Sequence, residues 1–284
     1  MFGGDQDDLT ISVHQTSEGG YIVTGESEST DIPDCVNNGN ADMYIVKLDS
    51  EGNIEWQKLY GGINEDRALS IQQTADNGYI VFGYSNSIIS GCINHGDYDY
   101  YVLKLDSSGN IEWHQMYGGN SREWGFSIQQ TAEGGYVACG FSESNDISGC
   151  TRHGEWDSYV IKLNGDGEIE WQKMVGGSSK DLFYQIQQTF NGDYITIGGS
   201  WSTDIQNCPN YGGRDYYIAK ISSSGTIEWQ KLYGGCETDY ASSIALTSDG
   251  GYVISGGSGS KNINGVVNHG EWDFYIVKLA PASQ

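Results

Sequence analysis

Tyr100-Tyr101-Val102-Leu103-Lys104-Leu105-Asp106-Ser107-Ser108-Gly109-Asn110-Ile111-Glu112-Trp113-His114-Gln115-Met116-Tyr117-Gly118-Gly119 is the stretch whose reading decides the fold. Apolar and polar residues alternate from Tyr100 to Leu105, the period of a strand with one face on a core. Asp106 to Asn110 is turn chemistry, and Ile111 to Tyr117 returns as a second strand. Upstream, Leu69 to Thr74 and Tyr79 to Tyr84 form another such pair around the turn Ala75-Asp76-Asn77-Gly78. Together they make one unit of four antiparallel strands.

The unit recurs through the chain. Glu-Trp followed by Gln or His stands at Glu55-Trp56-Gln57, Glu112-Trp113-His114, Glu170-Trp171-Gln172 and Glu228-Trp229-Gln230. Glycine pairs at Gly3-Gly4, Gly61-Gly62, Gly118-Gly119, Gly176-Gly177 and Gly234-Gly235 open five units spaced at 57 or 58 residues. Self-similarity at this period is the mark of a repeat architecture. The units run over 3–60, 61–117, 118–175, 176–233 and 234–279 with no linker between them, so residues 1–284 read as a single domain. Four strands cannot bury both of their faces alone, and radial repetition is the usual closed solution. The expected fold is therefore all-β, a five-bladed β-propeller of four-stranded antiparallel blades.

The last unit departs from the pattern. Residues 280–284 replace the Gly-x-Ile-Glu-Trp strand, so blade five is expected to lack most of its outer strand. Met1-Phe2-Gly3-Gly4 aligns with Leu59-Tyr60-Gly61-Gly62, the end of an outer strand, and is expected to supply the missing fragment with Phe2 beside Phe274 and Tyr275. Ile276 to Leu279 would remain an open edge for a partner strand.

The repeat pattern resembles the SBBP β-propeller repeats of bacterial and archaeal surface proteins. It runs Gly-Gly, an acidic residue, a short strand, a Gly turn, an apolar strand ending in Gly, then Asp-aromatic-x-x-x-Lys-Leu-Asp-x-x-Gly. All five units match as far as the Lys, and Asn164 and Ser222 replace the later Asp in units three and four. The Leu-Asp-Ser-x-Gly-Asn-Ile-Glu-Trp segment is also similar to the quinoprotein propeller repeat, whose Trp docks between blades, and Trp56, Trp113, Trp171 and Trp229, each opposite the apolar third strand at a fixed repeat position, are expected to be largely buried between blades. The resemblance implies the propeller fold, and with it an extracellular or cell-surface setting. It implies no particular activity.

Composition narrows the partners. There are 41 glycines, 12% aromatic residues and three prolines, a composition of short strands and tight turns rather than long helices. No run of apolar residues is long enough for a membrane helix, and the N-terminus lacks the basic and apolar regions of a signal peptide, so a soluble chain with any export signal already removed is expected. The formal net charge of −24 repels phosphate backbones and anionic membranes, which argues against nucleic acid and membrane insertion and leaves cations, neutral sugars and basic protein patches.

In a blade numbered outward, the loops after strands two and four share one face, and here they are the longer ones, so that face is the candidate functional face. Just before each innermost strand stands an acid: Asp8, Asp66, Glu123, Asp181 and Asp239. Five such carboxylates suit a hard cation such as calcium, and they equally suit caps on local backbone amides. The long loop after strand two carries His95, Tyr98, His153, Trp156, Tyr211, His269 and Trp272. Flat rings beside polar groups suit a carbohydrate or protein ligand, and the same rings could close the gap between blades. Cys-x-x-His occurs in two units and never with four ligands, which disfavours zinc. Serines Ser27, Ser29 and their repeat equivalents, and Thr16, Thr74, Thr131, Thr189 and Thr247, read as turn and inter-blade hydrogen bonders because no unit pairs them with a spaced His and acid. Of six cysteines, Cys139 reads as a buried hydrophobe, and Cys236 could meet Cys208 from the adjacent loop, the one bridge worth testing, with the disulfide state of the six left open. The expectation is a non-catalytic binding or scaffold module. A glycoside-cleaving enzyme, with Glu123 followed by Trp124 as the one sign of specialisation, is the alternative, and a purely structural spacer is another.

Overall fold

The computed structural model describes residues 1–280, and all of their regular structure is β. The first repeat supplies β1 (Asp8–Gln15), β2 (Tyr21–Ser27), β3 (Asp42–Leu48) and β4 (Ile54–Tyr60), and the second β5 (Asp66–Gln73), β6 (Tyr79–Ser85), β7 (Asp99–Leu105) and β8 (Ile111–Tyr117). The third has β9 (Glu123–Gln130), β10 (Tyr136–Ser142), β11 (Asp157–Leu163) and β12 (Ile169–Val175), and the fourth β13 (Asp181–Gln188), β14 (Tyr194–Ser200), β15 (Asp215–Ile221) and β16 (Ile227–Tyr233). The fifth has β17 (Asp239–Leu246), β18 (Tyr252–Ser258) and β19 (Asp273–Leu279). Each repeat is one antiparallel meander in chain order, giving four four-stranded sheets and a three-stranded fifth. This is the arrangement of a β-propeller-like repeat fold.

Two compact units are distinguished. The first comprises residues 1–138, 144–147 and 163–169, and the second residues 139–143, 148–162 and the chain from Glu170 onward. In the first unit, Ile22, Met43 and Ile45 of one sheet pack against Ala68, Ile71, Val81, Tyr101 and Leu103 of the next. In the second unit, Ile195, Ile197, Tyr216 and Ile218 meet Ala241, Ile244, Ile254, Tyr275 and Val277 in the same way. Strands β3, β7, β11 and β15 are buried along their whole length, which accounts for their nearly continuous apolar sequences. The first strand of the first repeat and the third strand of the fifth are more exposed than their equivalents. Val13 is 64% exposed where its equivalent Ile71 is 2%, and Phe274 is 94% exposed where Tyr216 is fully buried.

A register shift in β5 between Ala68 and Ser70 is repeated in β1, β13 and β17. The extra residue lets Ala68 and Ile71 point to one side although they are three apart, so the first strand can bury both its acid and its apolar residues. Opposite the bulge only glycine fits, since a Cβ on Gly83 would lie 1.8 Å from the Arg67 carbonyl oxygen.

Each fourth strand locks onto the repeat that follows it. The Trp56 indole N–H donates to the Ser107 carbonyl at 3.2 Å, its ring meets Tyr79 edge-on at 5.8 Å, and the Tyr60 hydroxyl donates to the Gly109 carbonyl at 2.6 Å. Trp113 and Trp171 repeat this on Tyr136 and Tyr194. These tryptophans, expected to be largely buried, are only partly so: β4, β8, β12 and β16 are edge strands, and one side of each ring stays wet. At the first repeat the corresponding space over Gly52 is open.

Gly4 N–H donates to Asp8 and Asp5 N–H to Asp31, as Gly177 and Ser178 do to Asp181 and Asp204 in the fourth repeat, and Phe2 lines a 340 Å³ cavity with Leu9, Thr10, Val23 and Tyr44. The fifth sheet ends at β19. Residues 281–284, part of the segment read as replacing its outer strand, lie outside the described residues. Cys208 and Cys236 are not bridged, and all six cysteines are free. The Cys208 thiol is turned inward to the Gln230 carbonyl at 3.0 Å, while Cys236 stays exposed.

Candidate functional site

The glycine pairs bring a carboxylate to the start of every first strand. Oδ2 of Asp66 accepts from the Gly62 amide at 2.8 Å and the Ser87 hydroxyl at 2.7 Å. Asp181 does the same with Gly177 and Ser202, Asp239 with Gly235 and Ser260, and Asp8 with Gly4 and Ser29. The Glu123 carboxylate accepts from Gly119 at 2.7 Å. Each of these five acids thus caps an amide at its own turn. Among the described residues no group of three or more His, Cys, Asp or Glu side chains stands close enough to hold a metal ion.

A second carboxylate begins each third strand, and the two meet across the repeat junction. A Cβ on Gly61 would fall 2.3 Å from Asp42 Oδ1 and 2.6 Å from Asp66 Oδ2, so only glycine lets the two acids approach. Asp42, Asp66, Asp99, Asp181, Asp215 and Asp239 are fully buried. Burial pushes the Asp42 carboxyl up to about 6, with the neighbouring Asp66 charge adding to the effect. Asp215, beside Asp239, is likewise pushed up to about 6 by burial.

The histidines of the long loops serve these acids. His95 Nδ1 stands 2.8 Å from Asp99 Oδ2 and His153 Nδ1 2.8 Å from Asp157 Oδ2, so each ring is tied to the start of its own third strand. His269 lies 3.4 Å from Asp273 and its side chain is 80% exposed. Tyr211 is 54% exposed, with its amide on Asp215 at 2.7 Å.

The aromatic residues gather into clusters. In the first unit Tyr84 stacks on Trp124 with centroids 5.0 Å apart, and Tyr98 meets both edge-on while donating to Glu65 at 2.9 Å. Arg122 stands 6.0 Å from the Trp124 ring centre. In the second unit Trp156 stacks on Phe141 at 4.8 Å with the Lys180 ammonium 4.6 Å away. Arg214 lies within 4.9 to 5.8 Å of Trp201, Tyr184 and Tyr240, and its Nε and Nη2 are buried without a hydrogen-bond partner. Trp272, 52% exposed, joins Tyr240 at 5.6 Å. Cations held over rings in this way are attracted by the ring quadrupole.

Of the ligand candidates read from sequence, Tyr98, Trp156 and Trp272 therefore join aromatic clusters, while His95 and His153 brace strand starts. Arg67, Tyr84, Arg122, Tyr184, Trp201, Arg214 and Tyr240 were not singled out. A signal for Arg67, Arg214 and Tyr240 existed. In a chain that otherwise repeats its frame, the second residue of the first strand reads Leu9, Arg67, Trp124, Leu182 and Tyr240, and the residue before the third strand reads Ala41, Tyr98, Trp156, Arg214 and Trp272. Both positions lie at the end of each sheet that carries the long loops, and variation on a constant frame marks a specialised surface.

No family model matches the chain. Over 276 residues it is 25% identical to the regulatory protein FlaEY of Caulobacter vibrioides, an alignment covering 84% of this chain and 28% of that protein. The chain thus spans less than a third of this relative. Among solved structures, a Bacteroides caccae protein of unknown function is similar with a TM-score of 0.45 and 13% identity, covering 77% of this chain and 63% of that one. Sqt1 from Chaetomium thermophilum scores 0.41 at 10% identity, covering 87% and 68%. A levansucrase mutant of B. megaterium scores 0.42 at 10%, covering 98% and 81%.

Proposed function

We propose that this chain is a non-catalytic binding or scaffold module of a secreted or cell-surface protein, its sheets the blades of a five-bladed β-propeller of the SBBP type, taking a glycan or protein ligand at the end that carries the long loops. The observation that supports the reading is the set of aromatic and cationic side chains at that end, Tyr84, Tyr98, Arg122 and Trp124 in the first unit and Trp156, Lys180, Trp201 and Arg214 in the second. Rings beside fixed cations and carboxylates suit the flat faces and hydroxyls of sugar rings, or an aromatic-rich protein contact. The acids are engaged in turns. Glu123, the residue on which an enzymatic reading would rest, holds the Gly119 amide just as Asp66 holds Gly62.

The test is a glycan array together with a pull-down screen, using the intact chain and the Trp124→Ala and Arg122→Ala variants. A ligand retained by the intact chain and weakened about tenfold or more by either variant, with unfolding temperatures nearly unchanged, supports the reading. Turnover of a glycan at enzyme-like rates, abolished by one substitution such as Glu123→Gln, overturns it.

A further inference from the structure

The acids that meet across the glycine pairs differ in what balances their charge. Four residues before the acid of the third strand, the repeats carry Asn38, His95, His153, Tyr211 and His269 in turn. At Asp99 and Asp157 the ring nitrogens of His95 and His153 reach the carboxylate at 2.8 Å. Asn38 and Tyr211 bring no group that can carry positive charge. Asn38 gives Asp42 Oδ2 its amide at 2.9 Å and its side-chain nitrogen at 3.2 Å, and Tyr211 gives Asp215 Oδ2 only its amide at 2.7 Å.

The pairs Asp42–Asp66 and Asp215–Asp239 are therefore without a histidine, one pair in each compact unit. All four acids are fully buried, and among the described residues no lysine, arginine or histidine forms an ion pair with any of them. In each acid Oδ2 is engaged in its own turn, whereas Oδ1 is buried without a hydrogen-bond partner. The partners face one another across a glycine. A Cβ on Gly61 would lie 2.3 Å from Asp42 Oδ1 and 2.6 Å from Asp66 Oδ2, and one on Gly234 would lie 2.1 Å from Asp215 Oδ1 and 2.6 Å from Asp239 Oδ2. Oxygens this close to a shared point fall within the span of one cation whose ligands stand at about 2.3–2.6 Å. Two buried charges with unfilled lone pairs and no counter-charge are costly, and a divalent ion relieves both costs at once.

We propose that Asp42 with Asp66, and Asp215 with Asp239, each hold a divalent cation of the calcium type between the start of a third strand and the start of the next first strand. The backbones already meet there, with the Asp66 N–H on the Ala41 carbonyl at 2.7 Å. Calcium suits the site because it takes hard oxygen ligands in irregular geometry, and backbone carbonyls or water complete its shell of about six to eight oxygens. The acids before the first strands thus do not act as one ring of five. Asp66 and Asp239 each act with the third-strand acid across their own glycine. The inference stands on burial and charge, independently of any ligand at the loop end.

The experiment strips the intact chain with a chelator and titrates it with calcium chloride at neutral pH, reading uptake by isothermal calorimetry. Saturable binding of about two ions is expected, with dissociation constants of about 10⁻⁴–10⁻³ M, the range of extracellular calcium modules. The unfolding temperature should rise with calcium and fall back with the chelator. Asp42→Asn should lose one ion and Asp215→Asn the other, while Asp99→Asn, whose acid His95 already serves, should lose neither. Amide exchange on the unaltered chain needs no variant to fold: calcium should slow it at Gly62 to Asp66 and Gly235 to Asp239 more than at Gly119 to Glu123. No saturable uptake up to about 10 mM, or unchanged exchange at both junctions, overturns the assignment. Uptake that survives the combined Asp42→Asn and Asp215→Asn substitutions also overturns it, since surface acids then hold the ion. A single pair whose own substitution changes nothing is not a site.

Discussion

Two glycines at the same turn position test the tryptophan lock. Gly52 and Gly167 both hold a left-handed backbone, with φ of 87° and 83°. An alanine Cβ at Gly52 would enter open space, whereas at Gly167 it would lie 2.9 Å from Cζ3 of Trp113. Gly52→Ala should therefore cost only the backbone term, about 1–2 kcal/mol. Gly167→Ala carries the same term and must also push the indole off Tyr136 and away from the Gly165 carbonyl, which it now meets at 3.2 Å. The ring is partly exposed. Half of the area a tryptophan can bury, at about 25 cal/mol per Å², is worth about 2–2.5 kcal/mol, so Gly167→Ala should cost about 2–4 kcal/mol and Trp113→Ala about 2. In the Trp113→Ala background the penalty of Gly167→Ala should fall to that of Gly52→Ala, because the clash has gone. Urea unfolding of the four variants and the parent measures all of these. Equal costs at Gly52 and Gly167, or additive costs in the double variant, would refute the lock.

Stability should rise as pH falls from 7 to 5. The Asp42 and Asp215 carboxyls are raised to about 6 against an ordinary value of 3.8, so the stability they confer is complete below about pH 4 and is lost as pH climbs through 6. The unfolding temperature should gain about 5 °C over that interval, and Asp42→Asn with Asp215→Asn should remove most of the gain. Below pH 4 the trend reverses, because Lys47 holds Glu18 down to about 2, while for Asp76 the Lys104 and Thr74 contacts outweigh burial to reach about 2, and both contributions are lost on protonation. Differential scanning calorimetry across this range decides it. Asp66→Ala strands the Gly62 amide and the Ser87 hydroxyl and should cost about 2–4 kcal/mol, while Asp66→Asn, which keeps an acceptor, should cost much less. If the two variants were equally destabilised in urea, capping would not be what Asp66 does. Thiol labelling of the native chain should modify exposed Cys236 first and reach Cys139, fully buried and with its pKa raised by burial, only on unfolding. Early labelling of Cys139, read by mass spectrometry, would contradict its placement.

The sequence by itself determined the elements. Period-two alternation in Tyr100 to Leu105, the Asp106 to Asn110 turn and recurrence at 57 or 58 residues give each repeat its strands, because these depend on neighbours a few residues apart. They also gave the shortened fifth sheet and the acid before every first strand. What only the tertiary structure decided lies between strands and between repeats. The bulge that turns Ala68 and Ile71 to one side, and the approach of Asp42 to Asp66 over Gly61, join residues that no local pattern relates. The exposure of Trp113 was misjudged because apolar type says a ring is to be covered, while the edge position of β8 leaves it partly wet. Arg214 went unread for a related reason. A lone arginine before a strand is ordinary in sequence, and only the packing of Tyr184, Trp201 and Tyr240 around it makes it a site, since aromatic attraction to a cation requires ring faces that three separate strand ends bring together.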